Sequence, residues 1–388
     1  MKKQWFERKY CCGCGMCNSF TQGCIDDRGF YRPNNANEFF KKFDSSVCYC
    51  NSVGENVGNN LWGDIKEAYY GYSNDEETRH NASSGGVLTE LACFLLNKKI
   101  VDCIIQIKVS EESQMKTEVI YSITEQDIKQ SWGSRYTAST SLLNILDNIE
   151  IDKKYAVIGK PCDIRVIREY LNKHKELEKN IVILLSFFCA GTPSKQANKL
   201  LLEAMGFDKS NISKFTYRGN GWPGITTCET DSGNIYSMEY EKSWGKYLGR
   251  DIQDICRFCW EGTGEAADIC CGDGWYVKNG KPSFVEGKGR NVILARTNKG
   301  NLVLKKVQEE NKISLEKLDD LEILNEMQPG QYMKKVTMFS KVIAMRLMLR
   351  KVPNYNLKQL YKFSKQIDSK KNFRIFIGTI KRILSGKI

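Results

Sequence analysis

Four cysteines lie within seven residues near the start of this chain, and this crowding limits what the segment can become. Cys11, Cys14 and Cys17 form a C-x2-C-x2-C pattern, which opens a bacterial ferredoxin cluster motif. Gly13 and Gly15 allow the backbone to wrap closely around a cubane, so that three thiolates of one loop reach three of its corners. The spacing therefore predicts an iron–sulfur site.

Zinc binding and disulfide formation are the other common uses of clustered cysteines. A structural zinc site needs two cysteine pairs or a histidine pair, and the chain has only His80 and His174. Disulfides are typical of small secreted proteins, whereas this chain has 388 residues and starts without the apolar region of a secretory signal. It also lacks a run of roughly 18 apolar residues, the length of a membrane helix. We therefore expect metal-bound thiols in a reducing cytoplasm.

Spacing alone leaves the fourth ligand of this first cluster open. Two-cluster ferredoxins take it from a distant second motif, which favours Cys48, while Cys24 and Cys50 are the alternatives. The predicted ligand set is Cys11, Cys14, Cys17 and Cys48. Residues 1–60 lack long periodic runs, so we expect this segment to be held by its metal more than by a core. Cys12 fits no regular spacing and is expected to pack as an ordinary side chain or to remain a spare thiol.

From about Tyr69 the hydrophobic pattern alternates between strands and helices. Strands are predicted over 101–109, 155–158 and 181–188. Helices are predicted after Ser83–Gly86 and over 164–171 and 196–205. Strand–helix alternation is typical of a parallel or mixed sheet covered by helices, so we predict a mixed α/β fold.

A second set of four cysteines follows from this topology. Cys162 and Cys189 each come directly after a predicted strand, in successive strand–loop–helix units. Open α/β sheets build their sites along that edge, so the two can face one another. The later C-x2-C pair of Cys256 and Cys259 would complete four ligands. The alternative is that Cys162 and Cys189 are ordinary buried cysteines.

Five short motifs occur in order along this region. They are RHNASSGGVLT at 79–89, GSRYTAS at 133–139, GKPC at 159–162, CAGTPS at 189–194, and CRFC at 256–259 with ADI at 267–269 and GD at 272–273. Together they resemble the coenzyme F420 hydrogenase/dehydrogenase beta-subunit family over roughly residues 65–300. The usual Cys-His-Gly of that family is Cys-Ala-Gly here, which weakens a proton-handling role for this loop.

The resemblance implies a [4Fe–4S] cluster on Cys162, Cys189, Cys256 and Cys259, beside FAD. It also implies which residues bind the flavin: Arg79, Ser83, Ser84, Gly85, Gly86, Ser134, Arg135, Tyr136, Thr137 and Lys160. A Ser-Gly-Gly helix start offers free N–H groups and a positive dipole end to a pyrophosphate, although a plain helix cap is the alternative. The three cations of the set either neutralise phosphate or are solvated surface charges.

These features predict an iron–sulfur flavoprotein oxidoreductase with two [4Fe–4S] clusters and FAD. Iron–sulfur clusters exchange single electrons, whereas a flavin exchanges one or two. The combination therefore links one-electron transfer to two-electron (hydride) transfer. We expect a ferredoxin-like protein or the deazaflavin coenzyme F420 as donor and an organic substrate, with a sugar or glycan precursor suggested by analogy. The alternatives are an electron-transfer subunit of a larger hydrogenase or dehydrogenase complex, and an iron–sulfur shuttle or sensor without FAD.

The chain is predicted to divide into four parts. They are 1–60 for the ferredoxin-like segment, 65–150 and 151–330 for the two parts of the flavin-binding body, and 331–388 for a helical tail.

The charge of the chain is concentrated in that tail. From residue 334 onward there are fifteen Lys and Arg and one acid, Asp368, so the tail carries +14 while the whole chain carries +12. Apolar residues recur there at helical spacing: Val336, Phe339, Ile343, Leu347, Phe373, Phe376, Ile377, Ile380, Ile383 and Leu384. Such helices pack on the body, lie on an anionic inner membrane surface, or dock an acidic protein. No nucleic-acid recognition motif accompanies the charge.

Overall fold

The protein is built around a mixed β-sheet, seen in a computed structural model that describes residues 8–34, 42–52, 58 and 60–386. The strands are β1 (Gly23–Ile25), β2 (Tyr31–Pro33), β3 (Glu67–Ser73), β4 (Cys103–Ser110), β5 (Ser113–Ser122), β6 (Tyr155–Gly159), β7 (Ile181–Phe187), β8 (Ile212–Thr216), β9 (Ile225–Thr230), β10 (Ile235–Glu239), β11 (Ile269–Asp273), β12 (Val277–Lys278), β13 (Lys281–Pro282), β14 (Asn291–Ala295) and β15 (Ile313–Lys317).

Helices cover the sheet and form the C-terminal region. They are α1 (Tyr49–Ser52), α2 (Glu76–Asn81), α3 (Val87–Asn97), α4 (Glu125–Lys129), α5 (Pro161–Lys173), α6 (Lys195–Ala204), α7 (Tyr240–Lys242), α8 (Asn298–Glu309), α9 (Ile323–Met327), α10 (Pro329–Val336), α11 (Met338–Leu347), α12 (Leu357–Ser364) and α13 (Ser369–Leu384). The mixed α/β fold and the helices and strands predicted in the body are thereby confirmed, with ends that shift by at most three residues.

The central sheet has the strand order β15-β3-β14-β11-β7-β6-β4-β5. Its middle strands β11, β7, β6 and β4 pair in parallel, while the flanking strands add in antiparallel fashion. The parallel strands are covered on both faces and are accordingly apolar, as in the Ile181–Phe187 strand. Because β6 and β7 are joined by a parallel crossover through α5, the loops that follow them meet at one edge of the sheet.

The described part of the N-terminal segment packs into the core of the body. Tyr10, Met16 and Tyr49 are at most 1% exposed and belong to the same buried cluster as residues of the central sheet. The amide of Leu142 donates to the carbonyl of Cys14 at 2.9 Å, which fixes the cysteine loop to the body. The expectation of a segment with little apolar core is therefore wrong for the described residues, because the core that shelters them is supplied by other parts of the chain.

The C-terminal helices also pack on the body. Buried side chains join them to the main core: Val336, Val342, Met345, Leu360, Phe363 and Ile383. Part of the apolar stripes remains outside, since Leu347, Phe373 and Leu384 are 64%, 65% and 73% exposed. Packing on the body, one of the three interpretations of these stripes, is thus confirmed for the buried positions. In the described portion of the chain, no helix combines the length and apolarity needed to cross a bilayer.

Candidate functional site

A cavity of about 290 Å³ opens where β6, β7 and β11 end, at the edge of the sheet that the topology favours for binding. The first turn of α3 closes one side of it, and the 131–137 segment and the region around Trp275 line the rest. The cavity wall therefore combines a helix N-terminus, a loop rich in hydroxyl groups and several aromatic rings.

The start of α3 presents backbone N–H groups to this cavity. Gly86 precedes the helix with φ +77°, a left-handed conformation that glycine adopts readily. The Asn291 side chain accepts from the amide of Val87 at 3.2 Å. The next two amides, those of Leu88 and Thr89, have no acceptor among the described residues, and both residues line the cavity. Two free donors at the positive end of an eleven-residue helix suit an anionic group.

Eight of the ten residues that the family resemblance assigns to flavin line this cavity: Ser83, Ser84, Gly86, Ser134, Arg135, Tyr136, Thr137 and Lys160. Ser134 Oγ donates to Ser83 Oγ at 2.7 Å and so joins the two predicted motifs. The structure thus brings together segments that are about fifty residues apart in sequence.

Gly85 and Arg79 are placed elsewhere. A Cβ on Gly85 would lie 2.7 Å from the amide nitrogen of Asn291 on β14, so packing against the sheet requires this glycine. The Arg79 guanidinium donates to the carbonyl of Gly289 at 2.8 Å and lies 3.6 Å from the ring centre of Tyr72. Among the described residues, neither belongs to those that line the cavity.

The two predicted cations of the cavity wall differ in their surroundings. Lys160 Nζ donates to Ser139 Oγ at 2.6 Å and pairs with Asp163 at 2.9 Å. Burial opposes its charge, but Asp163 together with the neighbouring Cys162 and Cys12 raises the pKa of Lys160. Arg135 donates to the carbonyl of Phe215 at 2.9 Å, and burial lowers its pKa. In the described part of the chain no carboxylate pairs with Arg135, so it is the cation better suited to an anionic ligand.

An aromatic wall with an embedded ion pair forms another side of the cavity. Arg218 is 3% exposed and binds both carboxylate oxygens of Asp273 at 2.7 Å. Its guanidinium carbon lies 4.5 Å from the ring centre of Tyr240 and 5.0 Å from that of Trp275. Trp222 stacks on Trp275 at 4.6 Å and donates to Asp273. Trp222 is thus a buried support for this wall.

Sequence reasoning missed Arg218, Tyr240 and Trp275. These residues are tens of positions apart, and no spacing rule connects them. The one available signal is the Gly- and Pro-rich stretch GNGWPG at 219–224, which is typical of a loop and leaves the partners of that loop unspecified.

Several buried polar atoms of the cavity wall have no partner in the described part of the chain. These atoms are Ser131 Oγ, Trp132 Nε1 and Gln331 Oε1. A buried polar group without a hydrogen bond is costly, so such atoms indicate where a ligand supplies the missing partner. The combination of free amides, Arg135, aromatic rings and these atoms fits a flavin nucleotide with its planar ring and phosphates.

The predicted second cysteine site lies beside this cavity. Cys162 lies in the first turn of α5. Cys189 follows β7 and lines the cavity. Burial raises the pKa of the Cys189 thiol, and the neighbouring Cys256, Cys162 and Cys259 thiols act in the same direction. Tyr49 Oη and Cys259 Sγ are 2.9 Å apart. The four predicted ligands are therefore neighbours, and an all-thiolate donor set fits an iron–sulfur cluster.

The first cysteine site surrounds a small cavity of about 20 Å³. Its wall includes Cys11, Cys12, Cys14, Cys17, Cys48 and Cys50. Burial raises the pKa of the Cys17 thiol to about 12, so metal binding would have to displace its proton. Cys24 is exposed on β1 and, within the described residues, does not line this cavity. The arrangement supports Cys48 or Cys50 over Cys24 as the fourth ligand.

Cys12 lies between the two cysteine sites. It lines the first site, and its Sγ lies within 4.8 Å of Cys162 Sγ and of a carboxylate oxygen of Asp163. The expectation that Cys12 packs without a special position is therefore incomplete. Together with Cys189, which lines the main cavity, Cys12 makes the three sites contiguous.

Comparison with known proteins identifies the family of the body of the chain. The family model described as coenzyme F420 hydrogenase/dehydrogenase, beta subunit N-term, matches residues 68–147, and the corresponding C-terminus model matches residues 152–321. The F420-dependent formate dehydrogenase subunit beta of Methanocaldococcus jannaschii is 27% identical over 64% of this chain and 64% of its own length. One subunit of the F(420)H(2) dehydrogenase of Methanosarcina mazei is 24% identical over 66% of this chain and 65% of its own length. The chain thus matches just under two thirds of the length of these relatives.

A solved structure shows the same fold. A chain of the F420-reducing [NiFe] hydrogenase complex from Methanosarcina barkeri superposes with a TM-score of 0.56 at 19% identity, covering 76% of this chain and 98% of that chain. The two family models, taken together, span most of the body that carries the cavity and the second cysteine site. The chain therefore belongs to the coenzyme F420 hydrogenase/dehydrogenase beta-subunit family.

Proposed function

We propose that this chain is the electron-transfer subunit of a larger oxidoreductase complex, with FAD in the main cavity and a [4Fe–4S] cluster at each cysteine site. The observation that carries the proposal is the contiguity of the three sites. Cys12 joins the first cysteine site to Cys162 of the second, and Cys189 joins the second to the cavity. Electrons move between redox centres that lie close together. Two clusters and a flavin bound at these three contiguous sites would form a continuous path for electrons.

The cavity residues have distinct roles in this proposal. The amides of Leu88 and Thr89 and the Arg135 guanidinium would hold the phosphates. The Trp275 and Tyr240 rings would contact the flavin ring, with Arg218 fixing their orientation. When bound, FAD supplies hydride and single-electron chemistry in one molecule.

We propose the same cysteine ligands for the two clusters that the sequence predicts. Cys11, Cys14 and Cys17 with Cys48 would hold the first cluster, and Cys162, Cys189, Cys256 and Cys259 the second. The chain's own contribution is to shield both sites, since Cys14, Cys17 and Cys256 are each at most 8% exposed. Burial of a cluster controls solvent access and hence its potential and stability.

The names of the relatives favour a deazaflavin partner and a larger assembly. Both relatives are named as subunits of F420-dependent or F(420)H(2) dehydrogenases, so we propose coenzyme F420 as one electron partner. We propose a ferredoxin-like protein as the other, because iron–sulfur clusters at the cysteine sites would accept single electrons. A single-chain enzyme acting on a sugar or glycan precursor is the second candidate from the sequence. Nothing in the described cavity wall specifies a sugar, so the subunit proposal takes precedence.

Anaerobic purification with iron, sulfide and flavin quantified per chain tests the proposal. We expect about eight iron, about eight sulfide and about one FAD per chain. Addition of reduced F420 should then bleach the flavin absorption band. A chain that carries full iron but no flavin even after incubation with FAD would support the shuttle alternative and contradict our proposal. Substrate turnover by the isolated chain would favour the single-chain enzyme.

A further inference from the structure

Four cations lie near one another beside the second cysteine site, since Lys341 is affected by the charges of the other three and one of these, Lys334, bonds to the carbonyl of Ala190 next to Cys189. We call Arg257, Lys334, Lys341 and Arg382 the basic cluster. They come from the Cys256–Cys259 loop and from α10, α11 and α13, and thus from separate parts of the chain. Folding has therefore collected these charges at one place.

Two members of the basic cluster, Lys334 and Arg257, contact or belong to the cysteine loops. Lys334 Nζ donates to the carbonyl of Ala190 at 3.1 Å, next to Cys189. Arg257 lies between Cys256 and Cys259 in sequence, and its buried Nε has no acceptor among the described residues. Any molecule that binds the basic cluster would consequently lie against the loops that carry the second cysteine site.

The positive charge of the basic cluster is uncompensated. In the described part of the chain none of its four members forms an ion pair with a carboxylate. Burial, followed by the charges of Lys334, Arg382 and Arg257, lowers the pKa of Lys341 to about 8. Crowded like charges destabilise a fold, so their presence indicates an anionic partner that compensates them.

We propose that the basic cluster is the docking surface for an acidic one-electron carrier protein. The charge of the C-terminal region, +14 from residue 334 onward, would steer such a carrier toward this face. Docking here places the carrier against the cysteine loops. This inference rests on the proposed function, since it names the face at which a protein electron partner approaches.

Direct binding measurements test the docking surface without relying on turnover. The probe is an oxidised acidic bacterial ferredoxin, with its dissociation constant measured by surface plasmon resonance at low and high salt. The test variant is Lys341→Gln with Arg382→Gln. The matched control is Lys370→Gln with Lys371→Gln, which removes the same charge from two exposed positions at the other end of α13, roughly 17 Å away along the helix.

We expect the test pair to weaken binding about tenfold and the control pair less than about twofold, with the parent losing affinity as salt rises. Should the test pair misfold, Arg382→Gln alone, at an exposed position, should still weaken binding about threefold. Equal weakening by both pairs, or a parent that ignores the ferredoxin at low salt, would overturn the proposal. So would loss of sedimentation with anionic vesicles as the only effect of the test pair, because it would assign the surface to a membrane.

Iron and flavin content of the same preparations separates this inference from the proposed function. A parent with full iron and flavin but no ferredoxin affinity refutes the docking surface alone. Ferredoxin binding by a chain that never retains flavin refutes the proposed function alone.

Discussion

Replacing Asp273 by asparagine should destabilise the protein by leaving the buried Arg218 guanidinium without its counter-charge. Arg218 is 3% exposed, and both of its bonds to Asp273 are 2.7 Å long. In the parent protein the Trp222 indole N–H donates to Asp273 Oδ1 at 3.0 Å. Asparagine has nearly the same size and keeps an oxygen that can accept this bond. The substitution therefore removes the charge while disturbing the packing little.

The expected loss follows from the burial of the pair. Removing one partner of a buried ion pair costs about 3–5 kcal/mol. The Asp273 side chain is 17% exposed, so water can partly solvate the remaining charge and the lower end applies. We expect a decrease of about 3 kcal/mol in the free energy of unfolding, which is roughly a 150-fold change in the folding equilibrium.

Urea unfolding followed by tryptophan fluorescence measures this loss, with Trp222 and Trp275 as reporters next to the pair. The control is the double variant Arg218→Met with Asp273→Leu, which removes both charges and should lie within about 1 kcal/mol of the parent. An Asp273→Asn variant as stable as the parent would refute the reasoning. So would a double variant as unstable as the single one, since packing would then outweigh charge.

Three other outcomes can be checked separately. Cys256→Ser or Cys259→Ser should remove about half of the iron found by metal analysis, whereas Cys24→Ser should retain it; full iron in all three would contradict the second cluster. Arg135→Gln should weaken FAD binding about tenfold in a fluorescence titration of the apoprotein, because a charge-assisted bond is lost; unchanged affinity would remove Arg135 from the flavin site. The pKa of Lys341 is about 8 in the folded chain, below its usual value of 10.5. Between these two pH values the unfolded chain binds more protons than the folded chain, so the contribution of Lys341 to the free energy of unfolding should rise with pH from about 8 to 10. Lys341→Met should remove that rise in unfolding experiments, and an identical pH profile would contradict the assignment.

The sequence was most informative where chemistry depends on neighbouring residues. The spacing of Cys11, Cys14 and Cys17 indicated one loop around one site, because ligands from a single loop must be close in sequence. The helix that follows Gly86 and the strands before Cys162 and Cys189 were also predictable, since hydrophobic periodicity reports local backbone geometry.

Some residues within those motifs have roles that local reasoning could not assign. Gly85 is part of a glycine pair suited to a phosphate, yet the chain it approaches is Asn291 on β14. Arg79 was predicted to bind phosphate because of its charge, but its guanidinium donates to the carbonyl of Gly289 and lies over the ring of Tyr72. Which partner a glycine or an arginine meets depends on which strand lies beside it, and strand order is a property of the whole sheet.

By itself, the sequence determined the kind of chemistry, the α/β fold class and the family, because ligand spacing, periodicity and motifs are all local patterns. Only the tertiary structure decided that Cys12 lies beside Cys162, that Asp273 holds Arg218 in the cavity wall, and that the C-terminal helices bring Lys334 to the loop of Cys189. These pairs are separated by tens to hundreds of residues. Their proximity results from strand register and helix packing, in which many weak contacts act together, so that no short stretch of sequence encodes it.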